Sequence, residues 1–140
     1  MDTTFEERSV IVQLISLVLV LGGYLVVAGM MMSSGIQPLT AYLPLFGGAV
    51  GLLVVVLVVG HIVALFFGRP ERHDERDRLI NWRADSIASH VLAGGILIAI
   101  IGMVCEMDSV WVAHFLLLTL ILHELFKLSL QLIFYRRGVS

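Results

Sequence analysis

Apolar runs punctuated by short polar breaks set the pattern of this chain. Ser9 to Met32 carries no charged residue, and neither does Thr40 to Gly68. Each run exceeds the ~20 apolar residues that cross a bilayer core as a helix. Ser33-Ser34-Gly35-Ile36-Gln37-Pro38 lies between them and reads as a turn. A charged stretch, residues 69–83, then opens a third run at about Trp82–Val104. The break Glu106-Met107-Asp108-Ser109 offers Asp108 or Ser109 as an N-cap for a fourth run, Val110 to about Tyr135. Backbone polar groups in lipid must be satisfied within their own segment, so the spans are expected to be helices. Short connections favour antiparallel neighbours. The pattern therefore predicts an all-α fold, a transmembrane four-helix up-down-up-down bundle, over a single domain of residues 1–140. The first run is too long for a cleavable signal peptide, its head is as acidic as basic, and no A-x-A site follows.

Charge placement gives this bundle a direction. Of the nine Lys and Arg residues, Arg8, Arg69, Arg72, Arg76, Arg78, Arg83, Arg136 and Arg137 fall on one side, and only Lys127 lies within a span. The opposite loops hold no basic residue. The positive-inside rule then predicts cytoplasmic N and C termini, a cytoplasmic 69–83 segment, and a multi-pass protein of the cell inner membrane. Trp82 and Tyr135 would lie at the inner boundary, and Tyr42 and Trp111 at the outer one. Bulk composition agrees. The chain is 59% hydrophobic and 14% charged, against about 25% charged residues in soluble domains. Its mean hydropathy is +0.97. A net charge of -2 leaves no footprint for direct nucleic-acid binding. The single cysteine, Cys105, excludes an intrachain disulfide and a CxxC site. The paired glycines Gly22-Gly23, Gly47-Gly48 and Gly94-Gly95, and the Gly47-x-x-x-Gly51 spacing, mark faces for close helix contact within the bundle or in a homo-oligomer.

Ionisable residues inside the spans are the functional candidates, because placing them in lipid is costly. On the fourth helix Thr119, His123, Glu124, Lys127 and Gln131 fall within about 140° of arc, one polar stripe. Counted from Arg136 at ~1.5 Å per residue, Lys127 lies roughly 13 Å deep, Glu124 roughly 18 Å and His123 roughly 20 Å. The stripe should face the bundle interior or a partner subunit. Glu124 and Lys127 are an i, i+3 pair that can neutralise each other. On the third helix Arg83, Ser86, His90 and Gly94 share a face, while Asp85 and Ser89 point elsewhere. His90 and His61 are each about 11–12 Å deep on helices expected to be adjacent and antiparallel. They are the candidate ligands if a metal ion or haem iron is bound. No cofactor is otherwise expected. His114 looks like a packing residue of the outer half. Catalytic motifs are missing: the sequence has no GxSxG, HExxH, P-loop or dinucleotide fingerprint.

The stretch Asp74-Glu75-Arg76-Asp77-Arg78-Leu79-Ile80, followed by Arg83-Ala84 and Ile87, resembles the central loop of a family of small bacterial and archaeal membrane proteins of unknown function. Their pattern is a DERDxLI-like segment joining two helical hairpins. The matching stretch runs from about Asp74 to Leu92. The resemblance implies a four-helix membrane fold and supplies no active residues. Genes of this kind often accompany small helix-turn-helix regulators, which implies a membrane partner for a cytoplasmic protein. The expected role is non-catalytic: a binding, regulatory or accessory subunit in the lipid bilayer. It would present Arg72, Asp74, Glu75, Arg76, Asp77 and Arg78 to a cytoplasmic or membrane protein partner, as a homo-oligomer or a subunit of a complex. Two alternatives stand beside it. One is an oligomeric channel or transporter for ions or small solutes using His61, Asp85, His90, His123, Glu124 and Lys127. The other is a haem- or metal-binding membrane subunit.

Overall fold

The structure, a computed structural model, describes residues 5–36, 38–67 and 75–137, with the side chains of 5–7, 61, 64–67 and 137 outside the description. Helix α1 runs Phe5–Ser33, α2 Leu43–Phe67, α3 Glu75–Val104 and α4 Ser109–Arg137. A single 3₁₀ turn, Leu39–Tyr42, leads into α2. There is no strand among the described residues, so the expected all-α class holds. Four helices are long and apolar enough to cross a membrane.

Both hairpins close with the same device. Gly35 at φ 82° and Glu106 at φ 57° adopt the left-handed conformation just past a helix end. After α1, the Gly35 amide donates to Met32 O (3.0 Å) and the Ile36 amide to Met31 O (3.2 Å). After α3, the Glu106 amide donates to Met103 O (3.1 Å) and the Met107 amide to Gly102 O (3.0 Å). These are Schellman closures that satisfy the last helix carbonyls. The Asp108 carbonyl then accepts from Trp111 (3.0 Å) and Val112 (3.3 Å), which puts Asp108 at the N-cap of α4.

Packing is unequal. α3 lies along α4, α1 lies against both α2 and α4, and α2 and α3 share no extensive contact. The helices therefore run α2–α1–α4–α3 across the molecule, and the expectation that α2 and α3 pack as neighbours is not met. The buried face of α3 is made of Ile80, Ala84, Ala88, Gly95, Ala99 and Gly102. Small residues let the two backbones approach: a Cβ built on Gly95 would collide with the Thr119 side chain. On α2, a Cβ built on Gly60 would lie 2.5 Å from Val12 Cγ1.

Of the two settings expected for the paired glycines, within the bundle or in a homo-oligomer, the other glycines do not show the first. A Cβ on Gly22, Gly23, Gly47, Gly48, Gly51 or Gly94 meets nothing within 4 Å. The Gly47-x-x-x-Gly51 face thus makes no close contact among the described residues. Leu52, Val54, Val55, Val58 and Val59 on α2 and Leu97, Ile98, Ile101 and Met103 on α3 are exposed. Contiguous apolar surface on this scale is foreign to soluble monomers and suits a lipid surround.

Candidate functional site

The ionisable groups gather where α3 meets α4. The contacts of Gly95 with Thr119 and of Gly102 with Val112 fix an antiparallel register. That register places Asp85 about level with Ser129. From there its carboxylate reaches Lys127, with Oδ1 4.0 Å from Nζ, and His123, with the same oxygen 3.9 Å from Nε2. Glu124 approaches from the other side. Lys127 Nζ donates to Glu124 Oε1 at 3.0 Å and lies 2.8 Å from Oε2. Glu124 Oε1 is 3.8 Å from His123 Nε2. Two carboxylates, one ammonium and one imidazole thus share a space of about 4 Å.

Burial within this group is graded. The His123 side chain is 9% exposed, Lys127 23%, Glu124 33% and Asp85 61%. His123 also holds an unpaired atom, since buried Nδ1 has no hydrogen-bond partner. Its Nε2 faces two carboxylates at ion-pair separation, beyond hydrogen-bonding distance. A neutral His123 leaves the group one negative charge in excess, and proton uptake on the imidazole cancels it. The arrangement can therefore bind a proton or a monovalent cation. On the same helix Thr119 and Gln131 are buried, and Thr119 donates to Phe115 O at 2.9 Å.

Asp85 was expected to point away from the face of Arg83, Ser86, His90 and Gly94, and the structure turns it toward His123 and Lys127 instead. The reason is angular. At 100° per residue Asp85 stands about 100° from Ala84, at the edge of the buried stripe. His90 falls on the far side, exposed, and its Nδ1 donates to Ser86 O of its own helix at 2.9 Å. Arg83, Ser86 and Gly94 share that exposed surface, with the Arg83 guanidinium 5.9 Å from the Phe134 ring centre. The His61 side chain, Arg72 and Asp74 lie outside the described residues. Among the described residues no three His, Cys, Asp or Glu side chains form a metal-holding group. Glu75, Arg76 and Arg78 are exposed on the first turns of α3, and Asp77 is half-buried.

A second polar centre was not foreseen in full. His114, read as a packing residue, is 8% exposed and hydrogen-bonded at both ring nitrogens. Its Nδ1 lies 2.7 Å from Val110 O, a pure acceptor, so Nδ1 carries a proton. The neutral ring then accepts at Nε2 from the Tyr24 hydroxyl, 3.0 Å away. Tyr24 stacks on the imidazole at 5.9 Å and Tyr42 meets it edge-on at 4.7 Å. Tyr42 donates its own hydroxyl to Ile36 O at 2.7 Å, tying the first hairpin turn to this cluster. The signal was Tyr24 itself: a phenol inside an uncharged run must find a hydrogen-bond partner.

Two apolar cavities meet beside these centres. One, of about 170 Å³, lies among Tyr24, Tyr42, Phe46 and His114. The other, of about 530 Å³, is a groove between α1, α2 and α4, with Phe46 near one end and Glu124 at the other.

Comparison of the chain with protein families, with curated proteins and with solved structures finds no match.

Proposed function

We propose that the chain is a multi-pass protein of the inner membrane, with both termini and the 69–83 segment cytoplasmic. In this reading it acts as a non-catalytic binding or regulatory subunit, docking a cytoplasmic or membrane partner through the charged start of α3. The continuity of α3 carries the proposal. This 30-residue helix runs unbroken from Glu75 to Val104, about 45 Å at 1.5 Å per residue. An apolar bilayer core takes about 30 Å. The excess, with Glu75, Arg76 and Arg78 exposed on it, stands beyond the membrane on a rigid stem. Anything bound there bears directly on Asp85, in the same helix. The resemblance of residues 74–92 to small membrane proteins of unknown function fits this role. Charge reversal tests it: Arg76→Glu with Arg78→Glu should strip the partner recovered by pull-down with the intact protein, and undiminished recovery counts against docking at this segment.

A second reading is passage of protons, ions or small solutes, with homo-oligomerisation through the open Gly47/Gly51 face of α2. His123, with Nδ1 unpaired and Nε2 facing both Asp85 and Glu124, favours it. Proteoliposome flux should fall with Glu124→Gln, and wild-type protein that carries no flux ends this reading. A haem- or metal-binding role has no comparable observation behind it.

A further inference from the structure

The groove between α1, α2 and α4 ends on one side at aromatic rings and on the other at a carboxylate. Leu21, Val50, Leu117 and Leu120 line its length, Phe46 its outer part and Glu124 its inner end. Ala113 and Glu124 mark its extent along α4, about 16 Å at the helical rise. Its volume of about 530 Å³ falls within the roughly 300–1,000 Å³ of small-molecule sites. At the outer end it adjoins the smaller cavity through the shared residues Phe46, Ala113 and Leu117. There Tyr24 meets Phe46 edge to face, with ring centres 5.9 Å apart.

We propose that this groove binds a hydrophobic monovalent cation carrying an aromatic system. Its apolar body would lie against Phe46 and the leucines, and its charge would lie on the Glu124 carboxylate. The inference rests on the passage reading above and names the class of solute that the same acidic group would take. Charge balance supports a monocation. Among the described residues Asp85 and Glu124 face one permanent cation, Lys127, beside the His123 imidazole. Lys127 need not block the site: its Nζ is 2.8 Å from Glu124 but also 4.0 Å from Asp85 Oδ1. A rotation that closes the longer distance moves the ammonium onto Asp85 and frees Glu124 for the guest. Rings at the outer end add stacking contacts to the aromatic body that a small inorganic ion cannot use.

Ethidium is a suitable probe, and its fluorescence in the presence of the full chain purified in detergent measures binding at equilibrium without any need for transport. Saturable binding to the wild type is expected. Glu124→Gln should weaken it by at least about tenfold, and Glu124→Asp should retain most of it. Val50→Trp, which fills the groove without touching the charges, should also abolish binding, and it stands in if Glu124→Gln proves unstable. Ile98→Trp, on the exposed face of α3, should leave binding unchanged. Ethidium binding that survives both Glu124→Gln and Val50→Trp overturns the proposal, as does the absence of saturable binding to the wild type. Saturable, Glu124-dependent binding without flux in proteoliposomes keeps the site and removes only the passage reading.

Discussion

His114 and His123 sit nine positions apart on α4, both buried, yet their surroundings differ in kind. His114 spends both ring nitrogens on fixed partners, Val110 O and the Tyr24 hydroxyl, and lies between two tyrosine rings. Nothing is left over for chemistry, and the cluster joins α1, the first hairpin turn and α4. His123 leaves Nδ1 unpaired and faces charges that it does not hydrogen-bond. A histidine that consolidates a fold and one that can accept a proton are thus told apart by their partners alone. Buried polar groups normally find such partners, so the exception marks the place to look for function.

Removing each side chain should reproduce the contrast. His114→Ala deletes a packed ring and leaves the Tyr24 hydroxyl without its acceptor. A loss of about 2–4 kcal/mol is expected in thermal or denaturant unfolding in detergent. A loss well under 1 kcal/mol would mean that this centre is not structural. Tyr24→Phe keeps the ring and removes one hydroxyl, so the cost should be about 1 kcal/mol by the same measurement. His123→Leu removes an unsatisfied nitrogen and should change stability by less than about 1 kcal/mol while eliminating the group's proton acceptor. A strongly destabilised His123→Leu protein would place the two histidines in one class.

What the sequence made legible follows from local rules. Hydropathy located the four helices because length and apolarity decide them, although α3 begins at Glu75, ahead of its apolar run at Trp82. The polar stripe on α4 followed from helical angles, and its residues Thr119, His123 and Gln131 are buried. Partner choice is where local rules stop. Asp85 lies at the border of a face, and which way it turns depends on α3 packing by Ala84, Ala88 and Gly95 against α4. Small residues could have signalled that face, since Ala84, Ala88, Gly95, Ala99 and Gly102 recur at helical spacing. Paired glycines were ambiguous for a related reason. Gly95 is pressed against Thr119 while Gly94, its neighbour, meets nothing within 4 Å, and the dipeptide alone does not say which of the two faces a helix. Tyr24 and His114 meet across 90 positions of sequence, beyond any periodicity argument.

All of these readings require the start of α3 and the loop at Cys105 to lie on opposite sides of a bilayer. Cys105 is the natural single thiol and is exposed, so labelling with a membrane-impermeant maleimide tests this directly. In right-side-out vesicles Cys105 should react, and in a Cys105→Ser background Arg76→Cys should not. Inside-out vesicles should reverse the pattern. Labelling of both positions from the same side contradicts the four-crossing topology.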